Sequence, residues 1–323
     1  MEKIRWGIIG CGDVTEVKSG PAFYKIEGSE LVAVMRRDGD KARDYAQRHQ
    51  VPRWYDQADA LIADAEVDAV YIATPPDSHA EYTIQVARAG KPVYVEKPMA
   101  RNHAECQAMI AACQQAQVPL FVAYYRRTLP AFCKVKALVD EGAIGPVRYV
   151  SIELCQPAGE NPDDLPWRVV PEISGGGYFF DLASHQLDYL DHLLGPISTA
   201  AGSATNQAGL YRAEDAVSAS FSFASGALGV GVWNFAADQN RDRIEIVGDK
   251  GRIIFSTFAF TPVELVNSTG TQSFAIDPPQ HVHQPLVQTV VDSLRGRGQC
   301  PSTGTSAART SRIMDLIVRG DAT

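Results

Sequence analysis

The strongest constraint on the fold is a glycine turn that directly follows the first apolar run. Ile4–Ile9 is rich in β-forming residues, and Gly10-Cys11-Gly12-Asp13-Val14-Thr15 comes next, which gives the pattern G-x-G-x-x-T. Glycines at such a turn allow the backbone to approach a diphosphate beside a helix N-terminus. A simple tight turn between a strand and a helix would use the same residues, so the motif depends on its context.

The context is an alternation of strands and helices over about 125 residues. Candidate strands are residues 4–9, 31–35, 69–73, 93–96 and 120–122, and candidate helices are residues 41–49, 78–89 and 104–116. The strands are nearly continuous runs of Val, Ile and Ala, as expected for strands that are buried on both faces. The pattern predicts an α/β domain with a doubly wound parallel sheet of the Rossmann type.

After Pro130 the pattern changes to a helix at 131–141 followed by runs of period two, which indicate an antiparallel sheet. Residues 217–223 alternate apolar side chains with serine, and a Ser225-Gly226 turn leads into Leu228, Val230 and Val232. These two runs predict a hairpin with one buried and one more polar face. Further elements are predicted as a hairpin at 244–254 and helices at 177–194, 286–294 and 307–318.

A chain of 323 residues is long enough for two domains, predicted here as 1–125 and 126–323. Lys and Arg number 30 against 38 Asp and Glu, a net charge of −8, and basic residues form no run longer than a pair. Nucleic acid is therefore not expected as a partner. The first apolar stretch is too short for a signal peptide or a membrane span, so we expect a cytoplasmic protein without a membrane partner. The six cysteines lack zinc spacing, and no metal is expected.

The end of the second strand predicts the cofactor. It reads Val34-Met35-Arg36-Arg37-Asp38, where an NAD site would have an acidic residue that binds the ribose 2′-hydroxyl. Two arginines favour NADP, because a guanidinium can bind the 2′-phosphate through two hydrogen bonds. Asp38 is the counter-evidence, although it lies beyond the usual acidic position. Solvated surface arginines and an NAD site remain the alternatives.

Two motifs could carry chemistry. Lys97, in Glu96-Lys97-Pro98, should project from the carboxyl edge of the sheet, where it could hold a substrate oxygen or shift its proton, although a solvated lysine is the simpler interpretation. Asp181 and His185 are spaced i and i+4 on a predicted helix after Gly175-Gly176-Gly177, so a carboxylate could orient a basic imidazole, or the pair could only pack. Adding Asp188 and His192 would give a metal site, which is the weaker hypothesis.

These motifs together resemble the Gfo/Idh/MocA family of oxidoreductases along nearly the whole chain. The resemblance is carried by the glycine turn, Ala73-Thr74-Pro75-Pro76 with His79, Glu96-Lys97-Pro98, Trp167-Arg168, the triple glycine with Asp181-x-x-x-His185, and the segment Cys300-Pro301-Ser302-Thr303-Gly304. It implies a Rossmann domain, a C-terminal α/β domain with an open, mostly antiparallel sheet, and a substrate between the two. Thr15 in place of a third glycine is common in relatives.

The resemblance also implies roles for residues. Lys97 and His185 would be the catalytic pair, with Asp181 orienting the substrate. The cofactor would be touched by Gly10, Gly12, Asp13, Val14, Arg36, Arg37, Thr74, Pro75, His79, Glu96 and Arg168. The substrate would be touched by Lys97, Tyr125, Arg126, Trp167, Asp181 and His185. Tyr125-Arg126-Arg127 departs from the polar pattern of many members and leaves the substrate open.

The expected activity is hydride transfer between NADP(H) and a secondary alcohol or ketone of a sugar, polyol or cyclic diol. The paired arginines are similar to those of NADP-dependent anhydrosugar reductases and of dihydrodiol or xylose dehydrogenases in the family. Two alternatives stay open, a catalytically silent dinucleotide-binding sensor or regulator and a reductase of a non-sugar substrate such as a bilin. The outer face of the C-terminal sheet commonly forms the subunit contact in relatives, which implies a homodimer or homotetramer, although a monomer also fits the sequence.

Overall fold

The computed structural model describes residues 3–320 and divides the chain into two compact units. Unit 1 runs up to Tyr125 and also includes Pro279–Ala308. Unit 2 consists of Arg126–Pro278 and the chain from Arg309 onwards. The boundary after residue 125 coincides with the sequence-based division, but residues 279–308, which that division places in the second domain, belong to unit 1.

Unit 1 contains a sheet of six strands. They are β1 (Ile4–Ile9), β2 (Ser29–Met35), β3 (Arg53–Tyr55), β4 (Ala69–Ile72), β5 (Val93–Val95) and β6 (Leu120–Val122). Their order is β3-β2-β1-β4-β5-β6, and every adjacent pair is parallel. This is the strand order of the doubly wound Rossmann fold, so the predicted parallel α/β sheet is confirmed.

Helices connect these strands. They are α1 (Asp13–Val17), α2 (Ala22–Lys25), α3 (Gly39–Arg48), α4 (Ala58–Ala63), α5 (His79–Arg88) and α6 (His103–Gln115), with a 3₁₀ turn at Pro76–Ser78 before α5. Successive residues of one strand enter different cores: Ile72 packs in the cluster with Val86, whereas Tyr71 packs in the cluster with Phe23. Strands buried on both faces explain why their sequences are almost continuously apolar.

Unit 2 is built around a sheet of eight strands. They are β7 (Val147–Cys155), β8 (Ile197–Thr205), β9 (Ala216–Phe223), β10 (Leu228–Asn234), β11 (Arg241–Gly248), β12 (Gly251–Phe255), β13 (Val263–Asn267) and β14 (Gly270–Phe274). Their order is β14-β13-β12-β11-β7-β10-β9-β8. Of the strand pairs in this sheet, only β7 and β10 are parallel, so the predicted mostly antiparallel sheet is confirmed.

Helices of unit 2 are α7 (Pro130–Asp140), α8 (Pro171–Ser174) and α9 (Ser184–Leu194). Short 3₁₀ segments lie at Tyr125–Thr128 and Trp167–Val169, and a π-helical segment, Phe179–Ala183, leads directly into α9. Nine of the eleven residues of α9 are buried, which marks it as a core helix of this unit.

The C-terminal part of the chain returns to unit 1 through α10 (Gln284–Leu294) and the start of α11 (Gly304–Arg319). The physical reason is the apolar face of α10: Leu286, Val287, Val290 and Val291 are buried in the same cluster as Trp6. This burial outweighs proximity in sequence and accounts for the corrected domain division. Within residues 3–320, no helix has the length and apolar character needed to cross a membrane.

The hairpin of β9 and β10 forms as predicted, but its faces differ from the simple expectation. Val230 lies opposite Ser220, and Leu228 and Val232 lie opposite the serines on either side, so the apolar residues of β10 share the exposed face. Glycines occupy the buried positions between them, because Cβ atoms there would strike the rings of Phe221 and Trp233. Large rings from neighbouring positions therefore fill the core side of β10.

Candidate active site

The glycine turn at the end of β1 has the geometry of a diphosphate cradle. Gly10 has φ +91°, and it lies so close to the loop after β4 that a Cβ atom would come within 2.7 Å of Thr74 Cγ2. Gly12 differs, because its φ of −153° suits any residue and a Cβ atom there would meet no protein atom closer than 3.9 Å. Neither backbone strain nor packing requires glycine at position 12, and the open space beside it fits a bound diphosphate group.

Thr15 closes this turn in place of a third glycine. Its side chain is fully buried, its hydroxyl donates to the carbonyl of Gly12 at 2.7 Å, and the N–H of Gly12 donates back at 3.0 Å. Asp13 and Val14 begin α1 beside the turn and are exposed and half-buried respectively. Burial raises the pKa of the Cys11 thiol to about 11, so this cysteine behaves as a packing residue.

The residues after β2 are those for which the sequence predicts a 2′-phosphate site. Arg36 follows the last residue of β2 and donates from Nη1 to the carbonyl of Cys11 at 3.3 Å, which places its guanidinium against the glycine turn. Arg37 is exposed. Asp38 caps α3 by accepting from the N–H of Lys41 at 3.2 Å, an interaction that lowers the pKa of Asp38. The carboxylate of Asp38 therefore caps α3.

His79 is the first residue of α5. Its side chain is fully buried, with Nε2 2.7 Å from the carbonyl of Thr74 and Nδ1 3.1 Å from that of Pro98. Burial lowers the pKa of His79, so the ring is neutral near pH 7. The imidazole links the loop after β4 to the loop after β5. Thr74 and Pro75 are in the first of these loops, and Ser78 donates to Thr74 Oγ1 at 2.8 Å.

Lys97 stands where β5 ends at the carboxyl edge of the sheet, and it is half-buried. The peptide bond between Lys97 and Pro98 is cis. Glu96 is 6% exposed and points into the unit, where Tyr71 Oη donates to its Oε1 at 2.5 Å and the N–H of Lys97 donates to its Oε2 at 3.1 Å. Glu96 therefore holds the backbone of the lysine. Its predicted contact with the cofactor stays a prediction.

Tyr125 follows β6 at the same edge, and its ring lies against that of His283 with centroids 4.3 Å apart. The sequence analysis did not find His283 or Tyr71. His283 lies in the segment that returns from unit 2, and Tyr71 reads as an ordinary core residue of a buried strand. An acidic residue next to a candidate lysine at the end of a buried strand is the available signal. A buried carboxylate such as that of Glu96 requires hydrogen-bond donors, and a search for such donors could have drawn attention to Tyr71.

In unit 2, the structure brings Trp167, Arg168 and Asp181 together. Arg168 Nε donates to Asp181 Oδ2 at 3.1 Å, and its guanidinium carbon lies 4.5 Å from the centre of the Trp167 ring. Asp181 is 8% exposed, whereas nearly half of the Arg168 side chain is exposed. The pair thus has a buried carboxylate and an accessible guanidinium, and the guanidinium can bind a polar ligand.

His185 is 3% exposed and lies in the first turn of α9, edge-on to Phe258 with ring centroids 6.0 Å apart. The π-helical segment Phe179–Ala183 contains Asp181, so the one-face relation of i and i+4 in a regular α-helix does not hold between the two residues. Such segments are frequent at functional sites. The orientation of His185 by Asp181 stays a prediction.

Protein atoms fill the space beside the second and third glycines of the triple glycine. A Cβ atom on Gly176 would overlap the Phe180 ring, and one on Gly177 would lie 2.3 Å from the carbonyl of Glu214. The N–H of Gly177 also donates to Glu214 Oε1 at 2.7 Å. Close packing of residues 213–214 therefore explains these glycines better than the approach of a ligand.

Arg126 and Arg127 are both buried in unit 2. Arg126 donates from Nε to the carbonyl of Thr257 at 3.0 Å and lies over the Phe258 ring, so its predicted substrate contact stays a prediction. Arg127 binds both carboxylate oxygens of Asp188, at 2.6 and 2.8 Å. That pairing commits Asp188 to the core and removes a ligand from the alternative metal site.

Fold and site geometry together define a protein with a Rossmann unit that ends its first strand in a glycine turn and a second unit that carries the Arg168–Asp181 ion pair and His185. Comparison with known families agrees. Residues 4–124 match the model for an oxidoreductase family with an NAD-binding Rossmann fold, and residues 132–254 match that for the GFO/IDH/MocA C-terminal domain. The chain belongs to the Gfo/Idh/MocA family of oxidoreductases.

Individual proteins show the same relationship over the full length. The chain is 41% identical to Oxidoreductase P35 of Formosa agariphila over 318 residues, covering 98% of both chains. It is 26% identical to 1,5-anhydro-D-fructose reductase of Ensifer adhaerens, covering 99% of this chain and 96% of that one. Among solved structures, an aldose-aldose oxidoreductase of Caulobacter crescentus in complex with glycerol is 26% identical, covers 98% and 97% of the two chains, and superposes with a TM-score of 0.88.

Proposed function

We propose that this protein transfers hydride between NADP(H) and a secondary alcohol or ketone of a sugar, polyol or cyclic diol. The observation that carries the proposal is the placement of Lys97 at the carboxyl edge of the Rossmann sheet, with its backbone held by the buried Glu96. Ligands of doubly wound folds bind at that edge. A reductase of an anhydro-sugar and an aldose-aldose oxidoreductase among the relatives support a carbohydrate or polyol substrate.

In this proposal Lys97 binds the substrate oxygen and His185 moves its proton. During oxidation, the hydroxyl proton passes to the imidazole of His185, and the ammonium of Lys97 stabilises the negative charge that develops on the oxygen. A nicotinamide cofactor, held by the glycine turn and Arg36, would supply the acceptor for the hydride of the carbinol carbon. The carbon becomes a ketone, and the reverse sequence reduces a ketone to the alcohol.

Arg168 and Asp181 would orient the substrate. The guanidinium of Arg168 is accessible, and Asp181 holds it at 3.1 Å against the Trp167 ring. An arginine fixed in this way can donate to a neighbouring hydroxyl or carbonyl of a polyhydroxylated substrate. Trp167 would supply an apolar surface for the ring carbons of a sugar.

NADP is the proposed cofactor. Arg36 is held against the glycine turn and can direct its remaining N–H donors to a phosphate, as can the exposed Arg37. The competing acidic residue, Asp38, serves as the helix cap described above. Lys97, Thr74 and Pro75 lie at the carboxyl ends of β4 and β5, at the edge where the nicotinamide end would lie.

The exposed face of the C-terminal sheet is proposed as a subunit contact. Tyr149, Leu228, Val230 and Val232 are each between 46% and 61% exposed, and they lie side by side on the adjacent strands β7 and β10. Contiguous exposed apolar residues in the centre of a sheet are typical of an interaction surface. We propose a homodimer or homotetramer formed through this face.

The test is a turnover assay with NADP⁺ on a panel of polyols, aldoses and anhydro-sugars, in which the formation of NADPH is monitored. Once a substrate is found, Lys97→Met and His185→Ala should each reduce turnover by at least about a hundredfold, because each removes a group that acts on the developing charge or the proton. Cofactor affinity should stay within about threefold of the original, since neither change touches the diphosphate or ribose contacts.

Unchanged turnover in both variants would refute the catalytic assignment. NADPH binding without turnover on any substrate would instead favour the catalytically silent sensor. Turnover restricted to extended conjugated substrates would favour the non-sugar reductase.

A further inference from the structure

Glu96 is the centre of a buried hydrogen-bond network in unit 1. Its Oε1 accepts from Tyr71 Oη at 2.5 Å, and its Oε2 accepts from the N–H of Lys97 at 3.1 Å. His283 Nδ1 lies 3.5 Å from Oε1, within ion-pair range, and its side chain is 1% exposed. Tyr71 Oη is also 3.0 Å from Ser19 Oγ. The network joins β4, the loop after β5 and the segment before α10.

His283 is held in place from two further sides. Its ring lies 4.3 Å from the Tyr125 ring, and its backbone N–H donates to the carbonyl of Lys18 at 3.2 Å. The ring therefore has little freedom to turn away from Glu96. Tyr125 is itself a predicted substrate residue, so His283 contacts both Glu96 and a residue that is predicted to touch the substrate.

A buried carboxylate needs donors, because removal of water from a charged group is costly unless hydrogen bonds replace it. An ionised carboxylate only accepts hydrogen bonds. Tyr71 Oη and the N–H of Lys97 donate to Glu96, and His283 Nδ1 lies 3.5 Å from Oε1. Burial and the nearby Glu96 raise the pKa of Tyr71 well above its usual value, so its hydroxyl stays a donor. Tyr94 is the other titratable group packed beside Tyr71, and burial keeps it protonated also.

We propose that His283 is a positioning residue, which acts through the carboxylate of Glu96 to hold the loop that carries Lys97. The inference rests on the proposed function for the role of Lys97, but the hold itself is a property of unit 1. If the imidazole of His283 is removed, Glu96 loses the polar side chain that lies 3.5 Å from its Oε1. The carboxylate then shifts or protonates, and the N–H of Lys97 loses its acceptor.

The chain offers a matched control in His281. It lies two residues earlier in the same segment and is buried to a similar extent, at 6% exposed against 1% for His283. Its Nδ1 lies 2.6 Å from the carbonyl of Val17 and its Nε2 lies 2.7 Å from Lys25 Nζ. These contacts are with α1 and α2 rather than with Glu96. A general loosening of the segment would follow from a change at either histidine, whereas loss of the hold on Glu96 would follow only from a change at His283.

The experiment is amide hydrogen exchange of Lys97, measured by NMR at pH 7 on the full chain. His283→Leu should speed exchange of this amide by about tenfold or more, because the bond to Glu96 is weakened. His283→Asn, which keeps an amide N–H near the position of Nδ1, should restore most of the protection, and His281→Leu should leave the Lys97 amide within about threefold of the original. Equal exchange in His283→Leu and the original protein would overturn the proposal, as would equal acceleration in His281→Leu.

A second measurement keeps His283 in place and so does not require its variants to fold. The imidazole ¹⁵N shifts of His283 should move in Glu96→Gln, while those of His281 stay in place, and unmoved His283 shifts would overturn the proposal. In a turnover assay, His283→Leu should lower kcat between about tenfold and a hundredfold with little change in KM, as expected for a displaced catalytic group. Lys97→Met separates failure of the proposed function from failure of this inference. Full turnover in Lys97→Met would refute the catalytic role of the lysine, but it would not change the conclusion from amide exchange about His283.

Discussion

Replacement of Arg36 by alanine tests the cofactor assignment. Arg36 uses one N–H in its hydrogen bond to the carbonyl of Cys11, at 3.3 Å, which leaves the rest of its planar fork to bind a 2′-phosphate. A hydrogen bond between two charged groups contributes about 1.5–3 kcal/mol. At about 1.4 kcal/mol for each factor of ten, the affinity for NADPH should fall between about tenfold and 150-fold.

The assay is a fluorescence titration of the purified protein with NADPH and with NADH. NADH has no 2′-phosphate, so its affinity should stay within about threefold in Arg36→Ala. Arg43→Ala is the matched control, because it removes one positive charge from α3 while its guanidinium is paired with Asp40. It should leave both affinities unchanged within the same range.

Loss of affinity for both cofactors by the same factor would show that Arg36 supports the glycine turn instead of selecting a phosphate. Unchanged NADPH affinity in Arg36→Ala and in Arg37→Ala, or an original protein that prefers NADH, would refute the reasoning. In that case the arginines are surface residues and the cofactor is NAD.

Three further predictions concern stability and assembly. Arg48 holds the pKa of Glu16 at about 2, below its ordinary value, so the ionised carboxylate stabilises the fold above about pH 4.5 and this contribution is lost as the pH falls towards 2. Glu16→Gln should therefore lower the melting temperature at neutral pH and have a smaller effect near pH 3. Asp188→Asn should destabilise unit 2 by about 3–5 kcal/mol in denaturant unfolding, because it leaves the buried Arg127 without its counter-charge, and a loss below about 1 kcal/mol would contradict this. Val230→Asp should convert the oligomer to monomers in light scattering without loss of the fold, whereas an unchanged mass would exclude this sheet face as the contact.

The Rossmann sheet could be predicted because its strands are buried on both faces. Runs such as Ile4–Ile9 and residues 69–73 are then apolar almost throughout, and the glycine turn marks where the first strand ends. Strand β3, Arg53–Tyr55, was not predicted, because it is a short strand at the sheet edge and its residues are only partly buried or exposed. Helix α4 was missed as well, since six residues give too little periodicity.

Features that depend on distant contacts could not be predicted from local pattern. The return of residues 279–308 to unit 1 follows from burial of the apolar face of α10, which looks the same in sequence whichever core it joins. The exposed apolar face of β10 follows from the bulky rings of Phe221 and Trp233, which fill the space beside its glycines. The same applies to the π-helical segment and to the packing of Glu214 on the triple glycine.

The candidate site divides in the same way. Residues carried by a motif, such as Lys97 and Arg36, were found from the sequence because the motif fixes their place on the sheet edge. His79 was found too, but the structure gives it a linking position between two loops. His283 has no motif, and its relation to Glu96 arises only from the tertiary fold.

The central claim is that hydride passes between the nicotinamide ring and a secondary carbinol carbon. The most direct measurement uses NADPH that carries deuterium at C4, in each of the two stereochemical forms, with a pool of keto-sugars and keto-polyols. We expect that one form transfers its label, so that a product alcohol gains one mass unit. Lys97→Met should give no labelled product while it still binds NADPH. An absence of labelled product with every ketone, despite tight NADPH binding, would contradict the claim and identify the protein as a dinucleotide-binding relative without catalysis.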